Sequence, residues 1–386
     1  MVKTLVASTI EIDDIDLALE EIKSQLQLDK NLLKNAIAIV SCHYEFVLSG
    51  IVKALHDILP CEMVGSVTSP LATNKDVDMV MLSIMLLTSD DAEFTAVLTD
   101  SLLNEPASVI TNDYKNAAAK HDKKPSLIFA YAPFIPQNSG DEYVQVLSKV
   151  SGNVPCFGTI AVDDTLDFSN CYMIYNGQHY QDRMGMILAY GLKPKFYNAN
   201  ISHERILEKS ATVTKSDGHV IMEVNERPVK EFFKDLGIMK AAETSFGMTS
   251  LPFLVDYNDG TPKVSKILLN MTPEGHALCA GAVPEGSILQ IAISDKKDIL
   301  LTTEKAIDQI LADIQNASGL VAYSCIARYI ELGANLYDEM KLTSSKIKDE
   351  IPFLMAYSGG EICPSFDDGV NTVNRFHNNA FVACLF

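Results

Sequence analysis

The chain has 386 residues, of which 50 are acidic and 31 are Lys or Arg, giving a formal charge of −19. Such a surface repels phosphate backbones and anionic headgroups, which argues against nucleic acid and membrane surfaces as partners. A hydrophobic share of 47% beside 21% charged residues is that of a folded globular chain, long enough for two or three domains.

The first strand-like segment is Lys3–Ser8, followed by a helix signature from about Asp14 to Leu26. Met1–Ile10 lacks the long apolar region and cleavage site of a signal peptide. No uninterrupted run reaches the roughly 18 apolar residues that span a bilayer, so a cytoplasmic location is expected. A second apolar strand, Ala36–Val40, ends at Ser41-Cys42, and a helix predicted over Glu45–Ile58 leads to Gly65-Ser66. The short run Val80–Leu87 reads as a buried strand.

The same order of elements returns twice. Phe94–Leu98, a helix near Ala107–Ala119, Ser126–Ala132 and a helix near Asp141–Ser151 lead to Gly158-Thr159. An Asn176-Gly177 pair between apolar-rich flanks then predicts a tight hairpin. Between Thr212 and Asn270 the texture changes to short strands separated by turn signals at Ser216–Gly218 and Asn258–Gly260, with one short helix near Val229–Leu236. The third copy is expected to start at Ser287, to pass through a helix near Thr303–Gln315 to Leu320–Cys325, and to close with Phe353–Ser358 and Gly359-Gly360-Glu361.

Strands that are apolar throughout, joined by helices, are strands covered on both faces. The fold class expected is α/β, with repeated strand-helix-strand-helix-strand units, mixed sheets and a domain boundary near residue 200. The eight cysteines are scattered without metal-ligand spacing and read as buried reduced thiols.

Ser324-Cys325, Arg328, Gly333, Glu339, Pro352, Gly360-Glu361-Ile362, Pro364 and His377-Asn378 resemble the C-terminal FIST domain. Gly158, Asp163-Asp164, Arg183 and the small-residue strand Gly185–Gly191 look like the end of an N-terminal FIST domain. Val213-Thr214, Gly218, Glu223–Asn225 and Pro228 look like the start of the C-terminal one. The domains expected are therefore 1–200 and 201–386. Ser358-Gly359-Gly360-Glu361 departs from the family pattern by an additional glycine.

The resemblance implies a sensory, signal-transducing protein that binds a small ligand, amino acids having been proposed. FIST regions are often fused to histidine kinases, chemotaxis receptors or F-boxes. No such sequence fits the remaining residues, so a stand-alone sensor is expected, reporting through a separate signalling protein such as a histidine kinase.

The candidate ligand-binding residues are Cys325, Arg328, Tyr357, Gly360, Glu361, His377 and Asn378. Glu361 follows an apolar strand, at the end of a sheet where open α/β folds place ligands. Arg328 offers a planar fork for a carboxylate, or else pairs structurally with Glu361 or Glu331. Cys325 and Cys42 are either small packing residues or thiols activated at helix starts. Tyr357 and Phe353 share one face of their strand, as core or pocket wall. Gly65-Ser66 and Gly158-Thr159 are expected in loops matching Gly360.

No cofactor is expected. The alternative is a haem-binding nitric oxide sensor of the same family, with His43, His203, His219 or His377 as axial ligand; an interaction scaffold without a small ligand is another. The chain carries no G-x-S-x-G, P-loop, H-E-x-x-H or G-x-G-x-x-G motif, and it is read as a non-enzyme. An arrangement of Cys325, His377 and Asp367 would be the nucleophilic alternative.

Overall fold

The computed structural model describes residues 2–136, 138–165, 168–239 and 249–386. Its first unit contains β1 (Val2–Thr9), β2 (Asn35–Cys42), β3 (Met63–Val67), the short pair β4 (Leu71–Thr73) and β5 (Val77–Asp78), and β6 (Leu82–Ser89). The second repeats it with β7 (Glu93–Leu98), β8 (Leu127–Ala132), β9 (Cys156–Ile160), the pair β10 (Met173–Tyr175) and β11 (Gln178–Tyr180), and β12 (Gly185–Tyr190). The third begins at β13 (Lys195–Ala199).

An insertion follows, with β14 (Ile206–Asp217), β15 (Val220–Val224), β16 (Arg227–Pro228), β17 (Phe253–Asp256), β18 (Val264–Lys266), β19 (Leu268–Met271), β20 (Ala277–Cys279) and β21 (Ile288–Ala292). The third unit resumes with β22 (Leu320–Cys325), β23 (Phe353–Ser358), the pair β24 (Glu361–Asp367) and β25 (Thr372–His377), and β26 (Phe381–Leu385).

The three sheets run β1-β6-β2-β3-β10-β11, β7-β12-β8-β9-β24-β25 and β13-β26-β22-β23-β4-β5. Each unit thus supplies four strands of its own sheet and gives away the pair after its third strand. The pair β10–β11 of the second unit completes the first sheet, β24–β25 of the third completes the second, and β4–β5 of the first completes the third. The exchange is cyclic, and it ties residues 71–78 to the C-terminal half of the chain.

Alternation along β2 shows why every strand is apolar. Ile37 and Ile39 enter a core shared by all three sheets, together with Phe129, Ile187, Leu354 and Val382. Ala38 and Val40 face the other way, against Ile22 and Leu55 of the helices Ile15–Leu26 and Ile51–Ile58. The helices Pro106–Ala118 and Gly140–Ser151 cover the second sheet, and Lys296–Asp313 with Asp338–Ile347 cover the third. The helix expected over Glu45–Ile58 is broken in two at Gly50, whose φ is +85°.

Two sequence expectations are corrected. The strand at Ser287 is β21, which lies between β14 and β17 in the sheet of the insertion, where Leu289 and Ile291 pack on Phe233 and Phe253; the first strand of the third unit is β13. Gly65-Ser66 and Gly158-Thr159 stand within β3 and β9 rather than in loops. A Cβ at Gly65 would lie 1.8 Å from the Val40 carbonyl oxygen, and one at Gly158 1.8 Å from that of Ala130, so close strand approach requires glycine there.

In the insertion, β18 and β19 are the two end strands of one sheet and are joined through Ile267 alone, so the sheet curls until its ends meet. Among the described residues no helix is long and apolar enough to cross a membrane. All eight cysteines are free thiols, and all but Cys61 are buried.

Candidate ligand-binding site

The parallel pairs β2/β3, β8/β9 and β22/β23 end at one end of the three-sheet core, where main-chain hydrogen bonds link the units. Val162 N donates to Val67 O at 3.1 Å, Gly359 N to Ile160 O at 3.0 Å, and Tyr357 N to Pro70 O at 3.2 Å. All seven residues nominated from the sequence lie in the third unit, but the structure sorts them into different environments.

Arg328 and Tyr357 belong to a closed polar network. Glu339 Oε1 accepts from Arg328 Nε at 3.0 Å, Arg328 Nη2 at 2.8 Å and Thr303 Oγ1 at 2.6 Å. Its Oε2 accepts from Ser324 Oγ at 2.8 Å and the Tyr357 hydroxyl at 2.9 Å. Arg328 also donates to the Ile299 carbonyl at 3.0 Å. Arg328, Glu339 and Tyr357 are fully buried, and burial first, then the Glu339 carboxylate, raises the Tyr357 phenol well above its ordinary value. A guanidinium satisfied in this way is a structural ion pair. Its partner is Glu339, not Glu361 or Glu331; Glu331 accepts from Ser250 Oγ at 2.6 Å.

His377 is likewise committed. Its Nε2–H donates to the Cys363 carbonyl at 3.0 Å and its Nδ1 accepts from Asn198 Nδ2 at 3.0 Å. Burial lowers its pKa to about 3, which keeps the ring neutral. Asp367 accepts from Thr372 Oγ1 at 2.9 Å. Burial, ahead of the neighbouring Glu361 carboxyl, raises the Cys325 thiol well above its ordinary value, the opposite of an activated nucleophile. Cys42 is raised by burial in the same direction.

Cys325 and Asn378 instead line a cavity of about 410 Å³. Its walls come from the loop after β8 (Phe134, Ile135), the last residue of β9 (Ile160), the insertion (Ile267, Leu268, Ala280), and the helix Ile326–Leu332 with Ala327 and Ile330. Gly359, the additional glycine, lines it too. Gly360 does not: a Cβ there would lie 2.1 Å from Phe376 Cζ, so this glycine makes room for the ring that forms part of the wall. Asn378 N donates to Ser265 O at 3.1 Å, while its buried Oδ1 has no partner among the described residues.

Glu361 sits behind Cys325, fully buried, and neither carboxyl oxygen makes a well-formed hydrogen bond among the described residues. Burial raises it well above the carboxylate range, against the opposing pull of the Ser358 hydroxyl and the Arg328 charge. The shift favours the neutral acid over the carboxylate.

A second buried ion pair closes the cavity's edge. Lys266 Nζ donates to both oxygens of Asp141, at 2.9 and 3.0 Å, and to the Phe376 carbonyl at 2.7 Å. Burial, the largest single influence, would lower the Lys266 pKa, but Asp141 together with Tyr257 and Cys279 outweighs it and the net shift is upward. Asp141 Oδ2 also accepts from Ala282 N at 2.7 Å. The pair fastens the insertion to the second unit, between the lining residues Gly140 and Ile267.

Sequence reasoning missed Phe134, Ile160, Ile267 and Phe376, which carry no chemical label, and also Lys266 with Asp141, which are 125 residues apart. None of the four histidines considered as haem ligands is among the described lining residues. His43 lies 3.2 Å from Asp164 through Nε2, and His203 lines a more open groove of about 780 Å³ beside β13 that holds none of the seven nominated residues. Among the described residues no group of three His, Cys, Asp or Glu is placed to hold a metal ion.

Models of known families match most of the chain. The FIST N domain covers residues 36–227 and the FIST C domain residues 230–364. No curated protein matches it.

Proposed function

Since this chain belongs to the FIST family, we propose that it is a sensory protein whose small ligand occupies the cavity bounded by Cys325, Gly359 and Asn378. FIST domains are associated with small-ligand-binding sensory signal transduction and are not a known catalytic family. The observation that carries the reading is the cavity's position. One wall belongs to the three-sheet core, through Phe134, Ile160 and Ala327, and the other to the insertion, through Ile267 and Ala280.

A ligand that touches both walls favours arrangements in which they are close, which is the unequal contact that a population shift requires. A separate signalling protein, such as a histidine kinase, would read the difference. The test is a thermal-shift screen of metabolites against the full chain and against Ala327→Phe, which fills the cavity. Binding at 100 times Kd stabilises by about 2.7 kcal/mol, or about 3 °C for a chain of this length. The shift is expected in the parent chain and lost in the variant; equal shifts in both would remove the ligand from this cavity.

A further inference from the structure

Resting on that assignment of the cavity, we infer that its ligand is an uncharged, mainly apolar molecule carrying one N–H or O–H that donates to Asn378 Oδ1, rather than a free amino acid. Phe134, Ile160, Ile267, Ala327, Ile330 and Phe376 set the character of the walls, and no described lining residue is charged. Among the described residues, Arg328 is engaged by Glu339 and Lys266 by Asp141. The Glu361 carboxyl is fully buried beside Cys325, and burial shifts it toward the neutral acid.

A zwitterion entering this space would lose its hydration at two charged groups and meet no counter-charge among the described lining residues. A neutral ligand avoids that cost and gains from the apolar walls. Asn378 is 1% exposed and its Oδ1 lacks a donor among the described residues. An amide oxygen left without a donor beside an apolar cavity is satisfied by a ligand whose donor reaches it. Tyr143, which also lines the cavity and whose buried hydroxyl makes no well-formed hydrogen bond among the described residues, offers a second polar contact.

Four probes sharing a 3-phenylpropanoyl frame separate these features: 3-phenylpropanamide, the ketone 4-phenylbutan-2-one, 3-phenylpropanoate and L-phenylalanine. Ligand-observed NMR titrations at neutral pH on the full chain give their relative affinities. The amide is expected to bind best, the ketone about 5-fold more weakly for want of its donor, and the two charged probes at least 50-fold more weakly. Asn378→Leu should abolish the difference between amide and ketone; if it fails to fold, the amide-to-ketone ratio on the parent chain still decides. Phenylalanine or phenylpropanoate binding as tightly as the amide, and losing that binding in Ala327→Phe, overturns this inference while leaving the ligand cavity standing. Failure of all four probes at millimolar concentration overturns both.

Discussion

Replacing Arg328 by Met tests whether this arginine is architecture or receptor. The substitution removes both hydrogen bonds to Glu339 Oε1 and the one to the Ile299 carbonyl. It leaves the carboxylate fully buried with only hydroxyl donors from Thr303, Ser324 and Tyr357. Breaking a buried pair from one side costs about 3–5 kcal/mol. With an unfolding entropy of roughly 2.1 cal/mol/K per residue, that is a fall in Tm of about 4–6 °C for 386 residues. Glu339→Gln should cost a similar amount, because it strands the guanidinium. The double variant should cost at least about 2 kcal/mol less than the sum of the two, as expected for residues in one network. Urea denaturation of the four proteins measures the coupling. Additive costs, or an Arg328→Met protein of parent stability that has lost ligand affinity, would refute the structural role.

Other perturbations follow from the same environments. Glu361→Gln replaces a neutral acid by a neutral amide, so stability near pH 5 should change by no more than about 1 kcal/mol. Because the folded pKa is raised above the ordinary 4.5, the parent loses stability relative to the variant as pH rises above that value, by up to about 1.4 kcal/mol per unit; urea titrations at several pH values would show it, and a difference independent of pH would count against burial as the cause. His377 has the opposite sign: with its pKa lowered from 6.5 to about 3, its contribution is present above pH 6.5 and lost as pH falls toward 3, so His377→Gln should make the chain less sensitive to acid over that window. Lys266→Met leaves Asp141 buried without its cation and should speed amide exchange in β18 and the first turn of Gly140–Ser151 without affecting β1 or β6, as followed by hydrogen–deuterium exchange.

The repeated unit was legible because each copy writes the same apolar strands and helix signals locally, and Ser41-Cys42 and Ser324-Cys325 do end equivalent strands, β2 and β22. The cyclic exchange was not legible. Nothing in Leu71–Thr73 says that its edge partner is Leu354–Ala356, some 280 positions away, since a short apolar strand fits any sheet edge. The first strand of the third unit was misplaced for a related reason: Lys195–Ala199 and Ile288–Ala292 are both short segments with apolar residues, and only the insertion between them decides which joins the third sheet. At the strand ends of the third unit, charge does not mark the cavity. Arg328 and Tyr357 turn away to Glu339, on the following helix, while the walls are made of residues indistinguishable in sequence from core.

The most direct test of a ligand held between the three-sheet core and the insertion is hydrogen–deuterium exchange of the full chain with and without a binder from the thermal-shift screen. Simultaneous protection of Ile267–Leu269 and of the helix Ile326–Leu332 is the predicted result. Protection confined to the groove beside β13, with both cavity walls unchanged, would contradict it.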